Sequence, residues 1–499
     1  TGCALLFSWR YFETAEAHLP VLVLLFLTGM TGFVLVGDLF TMFVFFELMG
    51  AVACALAGYK IEEPDSVQGA FTFGVTNSLG AYFTLTGIAV LYARTGQLGL
   101  AQIGAEIAGH PADVLVRVGF ALVCTGWLVK AAAVPFHFWL ADAHAVAPSP
   151  VCVLFSGVMA PLGVYGIARV YWVSFAGVLP SAAVRVGLIL LGVLTAAVGS
   201  VMALSQRHLK RMLAYSTIAH GGLFLIALAA LSADGIAGAA AYVLGHAGTK
   251  GALFLLAGML LALAGTVDEH DLYGRARGHH VLAALWLLAA LALAGLPPFG
   301  VGLGKAVAEE ATGSPILTAV FVATSAATGG AVLRAGLRIF YGLGRRPGDD
   351  TSDVISGSHE QLEVDRPLPA TPPTMVTATV LLLVTGLVVG LVPGVAAELG
   401  HAAAVFTDSA GYQAAVLGGP VPDVGSVTTH WTLAGVLLGL LSTLAAVAVG
   451  VAPLYRRASG LLHRPLHRLH QLHSGHIGDY AAALVLGVAV FTATLVITG

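Results

Sequence analysis

The sequence predicts an all-α integral membrane protein of about 13 transmembrane helices, arranged as two inverted five-helix repeats that each contain one broken helix. The first observation is composition: 58% of the 499 residues are hydrophobic and 10% are charged, against about 25% charged residues in ordinary globular proteins. The second is that apolar stretches recur at the length of about 20 residues that spans a bilayer. The third is that two of these stretches contain prolines at matching intervals.

This composition excludes several classes of protein. A soluble fold has too little interior for so much apolar surface, so lipid is the solvent for most of the chain. The net charge of -3 gives no basic surface for nucleic acid. The four cysteines form no Cys-x-x-Cys pair, so we expect no disulfide framework, no iron–sulfur cluster and no thiolate metal site.

The membrane spans can be placed by length and hydropathy. Each predicted span has enough apolar residues to cross the hydrocarbon core as a helix. The spans cover residues 19–36, 38–58, 68–93, 114–146, 150–172, 183–204, 211–231, 235–264, 281–311, 315–341, 375–397, 431–453 and 480–498.

Two of these spans are long and interrupted by proline. The stretch 114–146 contains Pro135, and the stretch 281–311 contains Pro297 and Pro298. Proline removes a backbone donor and clashes with the preceding turn. A helix broken at membrane depth exposes backbone groups that lipid cannot satisfy, so both breaks must face protein or water.

The broken spans also indicate a repeat. The two Pro-Phe pairs are 163 residues apart, and the spans that start at 19 and 183 are 164 apart. We therefore divide the chain into a first repeat (19–172), a second repeat (183–341), a polar loop (342–374) and C-terminal helices (375–499). Because five is odd, the second repeat enters the membrane from the opposite side. Broken helices in inverted repeats are typical of transport pathways.

The positive charges agree with this topology. If the two sides are numbered from the connection at Lys60, 16 Lys and Arg residues fall on that side and 4 on the other. Positive charge favours the cytoplasm, so we expect the Lys60 side, the 342–374 loop and the His-rich segment 463–476 to be cytoplasmic. The His-rich segment is typical of an interfacial basic amphipathic helix, with a metal site as the alternative.

Several ionisable side chains lie inside predicted spans, where each costs at least about 2.5–3.5 kcal/mol. They are Glu47, Lys130, His220, His246, Lys250 and Lys305. A nearby carboxylate keeps a buried lysine charged, so a Glu47–Lys130 pair that closes and opens would bind and release a proton. Histidines can pass protons onward near neutral pH. We interpret the set as a proton relay; the alternative is a static ion pair that fixes helix packing.

Two other patterns resemble ligand sites but lack features that those sites require. A phosphate loop ending at Lys305 would need a glycine where Phe299 stands and a hydroxyl where Ala306 stands. His220 and His246 could clasp a haem, but the sequence has no other haem signal. We therefore expect no cofactor, no metal and no catalytic centre in this chain.

Four segments carry a resemblance to a known family. They are Asp38–Leu48 (DLFTMFVFFEL), Lys130–His144 (KAAAVPFHFWLADAH), Gln206–His220 (QRHLKRMLAYSTIAH) and Ala294–Lys305 (AGLPPFGVGLGK). These segments resemble the proton-conducting antiporter family. It comprises the large subunits of Mrp sodium/proton antiporters, the antiporter-like subunits of complex I and the membrane subunits of membrane-bound hydrogenases.

The resemblance implies roles by position. Glu47 is similar to the family's helix glutamate, and Lys130 to its partner and central relay lysine. His220, with the face formed by His246 and Lys250, is similar to the connecting relay. Lys305 is similar to the terminal group that exchanges protons with one aqueous side. The helix-end residues Asp38 and Asp142 are expected to be structural.

Two departures from the family pattern stand out. Family members carry a lysine in a run like G-V-M-x-K-x-G-V-Y, which here reads GVMAPLGVY over 157–165, so Pro161 replaces that lysine. This puts the usual conduction route in doubt. The resemblance also implies about three further N-terminal helices, which we expect to be missing from a chain that begins with Thr1.

The sequence thus predicts a proton-translocating membrane subunit of a multisubunit cation/proton antiporter of the Mrp type. Its expected partners are other membrane subunits, the bilayer, H+ and, as coupled ion, Na+. One alternative is an antiporter-like subunit of an NADH:quinone oxidoreductase or membrane-bound hydrogenase, where redox centres belong to partner subunits. The other, suggested by Pro161, is a non-conducting scaffold.

Overall fold

The computed structural model describes residues 1–12, 18–109, 112–344, 363, 368–455 and 476–497. Over these residues the chain is helical, and two isolated β-bridges are the only strand-like pairings described. The helices of the N-terminal half are α1 (Gly2–Tyr11), α2 (His18–Leu35), α3 (Leu39–Ala57), α4 (Pro64–Thr95), α5 (Leu100–Ile107), α6 (Val114–Lys130), α7 (Phe138–Val146) and α8 (Ser149–Phe175).

The second half continues in the same way. Its helices are α9 (Ser181–Ser205), α10 (Leu209–Leu228), α11 (Ala233–Ala264), α12 (His280–Leu293), α13 (Gly300–Thr312), α14 (Pro315–Tyr341), α15 (Pro373–Leu391), α16 (Pro393–Thr407), α17 (Ser409–Leu417), α18 (Leu433–Tyr455) and α19 (Ile477–Ile497). The short helices α16 and α17 were not expected from the sequence. The predicted His-rich segment lies outside the described residues, apart from His476.

The described helices bear out the predicted fold class of a multi-pass, all-α membrane protein. Eleven of them are long and apolar enough to cross a membrane. The two broken spans are instead pairs of shorter helices, α6 with α7 and α12 with α13. The figure of 13 spans therefore stays a prediction, as do the boundaries of the two repeats.

Local sequence explains where the helices start. Asp38 caps the N-terminus of α3 by accepting a hydrogen bond from the Thr41 amide at 2.7 Å. Ser232 caps the N-terminus of α11 by accepting one from the Gly235 amide at 3.2 Å. Such side chains satisfy amides that have no partner within the helix. Proline occupies the first position of α4, α14, α15 and α16, where its missing N–H costs nothing.

Several backbone features recur in the two halves. Helices α4 and α11 are each 32 residues long, and each ends at a left-handed glycine, Gly96 and Gly265. An isolated bridge pairs Asp38 with Gly99 in the first half, and another pairs His208 with Asp268 in the second. In the topology predicted from the sequence, three spans (114–146, 150–172 and 183–204) separate the two bridges, which would place them on opposite sides, as an inverted repeat requires.

Both helix breaks are covered by protein. At the first break the Val134 amide donates to Thr195 Oγ1 at 2.9 Å. Gly487 of α19 packs so closely on this break that an added Cβ would lie 2.6 Å from Pro135 Cγ. At the second break, a Cβ on Gly439 of α18 would lie 2.8 Å from the Gly295 carbonyl oxygen. The C-terminal helices thus shield the irregular backbone that lipid could not satisfy.

Candidate functional site

Lys130 is the last residue of α6, directly before the first break. Only 1% of its surface is exposed. Its Nζ lies 4.4 Å from the ring centroid of Phe46 and 5.5 Å from that of Phe73, and it has no hydrogen-bond partner among the described residues. The phenyl faces attract the ammonium through their negative quadrupole. Lys130 is therefore held by two aromatic rings and not by hydrogen bonds to described residues.

Glu47 lies next to Phe46 in α3 and is partly buried. It interacts electrostatically with Lys130, but the described structure holds no Glu47–Lys130 ion pair within 4.0 Å. Glu47 and Lys130, the predicted pair, are thus near enough to interact electrostatically but do not form a close ion pair. A carboxylate and an ammonium held apart in this way change their mutual attraction steeply when the separation changes, because the surroundings are apolar.

His220 occupies the centre of the second half. One ring nitrogen, Nδ1, is 2.8 Å from the Tyr242 hydroxyl, and the other, Nε2, is 3.0 Å from Thr328 Oγ1. The His246 ring stands 5.1 Å away, centroid to centroid. Both His220 nitrogens are occupied by hydroxyl groups, which argues against the haem clasp. Tyr242 and Thr328 were not foreseen from the sequence.

His246 and Lys250 are both fully buried on α11. The Lys250 ammonium donates to the Leu213 carbonyl and, at 2.5 Å, to Ser216 Oγ on α10. Both nitrogens of His246 lack a hydrogen-bond partner among the described residues. The predicted shared face therefore carries one base that is hydrogen-bonded, Lys250, and one that has no hydrogen-bond partner among the described residues, His246.

Lys305 lies one turn into α13, beyond the second break. Its Nζ is 3.4 Å from Glu309 Oε1 and also donates to Ser442 Oγ of α18. Lys305 and Glu309 are both buried. Glu309 was missed, although its spacing of four residues from Lys305 places the two side chains on one helix face.

Of the two expected structural aspartates, Asp38 lies at a helix end and Asp142 lies in the middle of α7. Asp38 caps the start of α3. Asp142 pairs with Arg211 at 3.5 Å and accepts a hydrogen bond from the Tyr480 hydroxyl at 3.1 Å. These contacts tie α7 to α10 and α19, which supports a packing role for Asp142.

Pro161 lies within α8, two residues after a wide helical turn over Phe155–Met159. Proline cannot donate to the carbonyl four residues earlier, and a π-type turn is one way for a helix to absorb that loss. Within the turn, Ser156 Oγ lies 2.6 Å from Thr217 Oγ1 of α10. A hydroxyl pair therefore links α8 and α10 near the position where relatives are expected to carry a lysine.

The sequence places Lys210 on the Lys60 side and residue 363 in the polar loop, but it gives no sign that both side chains are buried and form an ion pair at 2.8 Å. The sequence also suggested no role for His144, the last residue of the Lys130–His144 segment, and its side chain is fully buried. Among the described residues, no group of three or more His, Cys, Asp and Glu side chains is arranged to hold a metal ion.

Comparisons with known proteins agree with these features. A family model described as "NADH:quinone oxidoreductase/Mrp antiporter, TM" matches residues 36–328. The chain is 30% identical over 322 residues to a Na(+)/H(+) antiporter subunit of Bacillus subtilis (strain 168), covering 63% of this chain and 64% of that protein. It is 33% identical over 280 residues to an NADH-quinone oxidoreductase subunit of Desulforudis audaxviator (strain MP104C), covering 56% and 55%.

The matches thus span less than two thirds of the length of these curated relatives. A solved structure extends the similarity. A chain in the structure of the Mrp complex from Dietzia sp. DQ12-45-1b superposes with a TM-score of 0.71 and 28% sequence identity, covering 83% of each chain.

Proposed function

The chain belongs to the transmembrane family of NADH:quinone oxidoreductases and Mrp antiporters, and we propose that it translocates protons as a membrane subunit of a multisubunit cation/proton antiporter. One observation carries the proposal: five buried basic side chains extend from the first helix break to a point beyond the second. They are Lys130, His220, His246, Lys250 and Lys305. Burying so many ionisable groups is costly, so a role in ion movement is the default interpretation.

The contacts of these groups suggest how protons would pass. Glu47 would set the proton affinity of Lys130 through its distance from the ammonium. In the second half, Lys250 contacts Ser216, and the His246 ring contacts the His220 ring, which is hydrogen-bonded to Tyr242. Lys250 and His246 lie four residues apart on α11, so the two groups of contacts are on neighbouring turns of one helix. Hydroxyls and neutral imidazoles both donate and accept hydrogen bonds, so they can pass a proton without holding a net charge. Lys305 with Glu309 would exchange it at the far end.

Pro161 interrupts this path between the two halves. The Ser156–Thr217 hydroxyl pair offers a neutral connection where the family's lysine is missing. The proposal therefore predicts conduction through hydroxyl groups and water at this point. A non-conducting scaffold would leave the costly burial of Lys130 without a function.

We propose that the chain lies in the plasma membrane, with the Lys60 side, the 342–374 loop and the His-rich segment facing the cytoplasm. The excess of positive charge on the Lys60 side supports this orientation. Na+ is proposed as the coupled ion because the Bacillus subtilis relative is named a Na(+)/H(+) antiporter subunit. An antiporter-like role in an NADH:quinone oxidoreductase is the second candidate, favoured by the similarity to the Desulforudis audaxviator protein.

The test is proton transport by the complete complex reconstituted in vesicles. Lys130→Ala and Glu47→Gln should each lower the initial rate by at least about tenfold, a change of about 1.4 kcal/mol in the barrier. Glu62→Gln, which alters an exposed carboxylate, should leave the rate unchanged. Undiminished flux with Lys130→Ala would favour the scaffold.

The composition of the purified complex separates the first two candidates. Partners limited to small membrane subunits indicate a gradient-driven antiporter. Cysteine-rich partners that carry redox centres indicate a redox-driven complex, since Cys thiolates hold iron–sulfur clusters.

A further inference from the structure

A second buried ion pair lies away from the helix breaks, on the Lys60 side. Glu363 Oε1 accepts from Lys210 Nζ at 2.8 Å and from Ser149 Oγ at 3.1 Å. Its Oε2 accepts from the Tyr11 hydroxyl at 2.7 Å and from the Ser149 amide at 2.8 Å. The carboxylate thus sits at the start of α8, where the helix dipole also favours negative charge.

This carboxylate comes from the polar loop between α14 and α15. The loop is also fixed at Leu368, whose amide donates to the Ala262 carbonyl of α11 at 2.8 Å. Side-chain exposure is 1% for Lys210 and 3% for Glu363. A hydrophilic loop therefore places a charged group between α1, α8 and α10.

His144, at the end of α7, lies beside this pair. Lys210 Nζ donates to the carbonyl of the next residue, Ala145, at 2.9 Å. The His144 ring stacks on Phe254 with centroids 4.6 Å apart, and Lys250 Nζ lies 5.2 Å from the same Phe254 ring. His144 interacts electrostatically with both lysines, so it lies near Lys210 as well as near the relay residue Lys250.

The His144 ring has no fixed hydrogen-bond partner. Both of its nitrogens are buried and lack partners among the described residues, which costs free energy if the imidazole serves only to fill space. A structural role explains the Lys210–Glu363 pair, since a buried charge needs a counter-charge. It does not explain why an imidazole near two buried lysines has no hydrogen-bond partner among the described residues.

We propose that Glu363, Lys210 and His144 form a proton port that connects Lys250 with the aqueous phase on the Lys60 side. The inference rests on the proposed function and adds to it the point of exchange on this side. A proton from the aqueous phase reaches Glu363, and Lys210 gives its proton to one nitrogen of neutral His144. Once Lys250 has passed its own proton onward along the relay, His144 releases the proton on its other nitrogen to the Lys250 amine, while the Glu363 proton restores the Lys210 ammonium.

The port is tested in the complete complex in vesicles, with rates normalised to the amount of assembled complex. Glu363→Gln keeps the size of the side chain and removes its charge, so the initial proton-transport rate should fall at least about fivefold. Glu363→Asp restores the carboxylate and should recover most of the rate. The matched control is Glu63→Gln, which alters a more exposed Lys–Glu pair on the same side, Lys60 with Glu63 at 3.2 Å.

His144→Gln provides a second variant if Glu363→Gln fails to assemble. Glutamine can fill the site and form hydrogen bonds but cannot take up a proton, so the rate should again fall at least about fivefold. A wild-type rate in either assembled variant, together with loss of transport in Lys130→Ala, overturns the port and leaves the relay standing. Persistent transport in Lys130→Ala overturns the relay and the port together.

Discussion

The first and second halves of the chain use similar helices to hold their buried lysines in opposite ways. In the first half, Lys130 lies among aromatic rings with no hydrogen-bond partner in the described structure, and Glu47 acts on it from beyond ion-pair distance. In the second half, Lys250 and Lys305 are fixed by short contacts to hydroxyl, carbonyl and carboxylate groups. Two 32-residue helices and two isolated bridges recur in matching places in the two halves, whereas the contacts of the buried lysines differ.

This difference shows how one scaffold can serve two tasks. A hydrogen-bonded base holds its geometry and so connects neighbouring groups reliably. A base bound only by charge and ring faces responds to small movements of its neighbours, because it has no short bond to break. The first half is thus suited to sensing a conformational change, and the second half to passing protons along a fixed path.

The largest predicted difference in stability separates the loss of a carboxylate in the second half from the loss of one in the first half. Glu309→Gln leaves the buried Lys305 without its counter-charge and should cost about 3–5 kcal/mol of unfolding free energy. Glu47→Gln breaks no close ion pair and should cost less than about 1 kcal/mol, although we expect it to lower the rate of proton transport. Denaturant unfolding of the two purified variants measures both values.

Equal losses of stability in these two variants would contradict the comparison. That result would mean that Glu47 forms a close ion pair with Lys130 in the folded protein. Glu310→Gln, which alters an exposed carboxylate beside Glu309, controls for the general effect of removing a negative charge from α13.

A smaller effect should distinguish the two helix breaks. Gly439→Ala presses a methyl group against the Gly295 carbonyl, a backbone atom that cannot rotate away, and should cost about 1–3 kcal/mol. Gly487→Ala meets side-chain atoms of Pro135 and Phe136, which can shift, so its cost should be lower. Thermal unfolding of the two variants compares the breaks directly.

The control for this pair is Gly221→Ala, where the nearest atom to an added Cβ is the Ala131 carbonyl oxygen at 3.5 Å. Alanine is the better helix former by about 1 kcal/mol, so this variant should not lose stability. A loss as large as that of Gly439→Ala would show that close packing at the second break is not the cause.

The buried bases were predictable because they interrupt long apolar stretches, as Lys130 and Lys250 do. The breaks were predictable because proline removes a backbone donor whatever its surroundings. The partners were not: Thr328 and Phe73 look like ordinary helix residues, and only tertiary packing brings them to His220 and Lys130.

Glu363 is a buried charged residue that hydropathy assigned to the surface. The segment around it, residues 351–366, is mostly polar or charged, so hydropathy assigns Glu363 to water. Its burial depends on Tyr11, Ser149 and Lys210, which are distant in sequence and converge only in the folded chain. Hydropathy averages over a window and therefore cannot detect a single buried charge within a polar loop.

The smallest predicted effect concerns a surface pair of the first half, on the side opposite Lys60. Hydrogen bonding from Arg94 holds the pKa of Asp113 below its usual value, while Asp113 also caps α6 through the Val116 amide. The Arg94–Asp113 contact therefore stabilises the folded protein at pH values above about 3.9, the pKa of a free aspartate. This stabilisation is lost as the pH falls through the lowered pKa of Asp113. Asp113→Asn keeps the cap and removes the charge, so its slight thermal destabilisation at pH 7 should vanish in acid. A difference that persists below the lowered pKa would assign the effect to the cap instead.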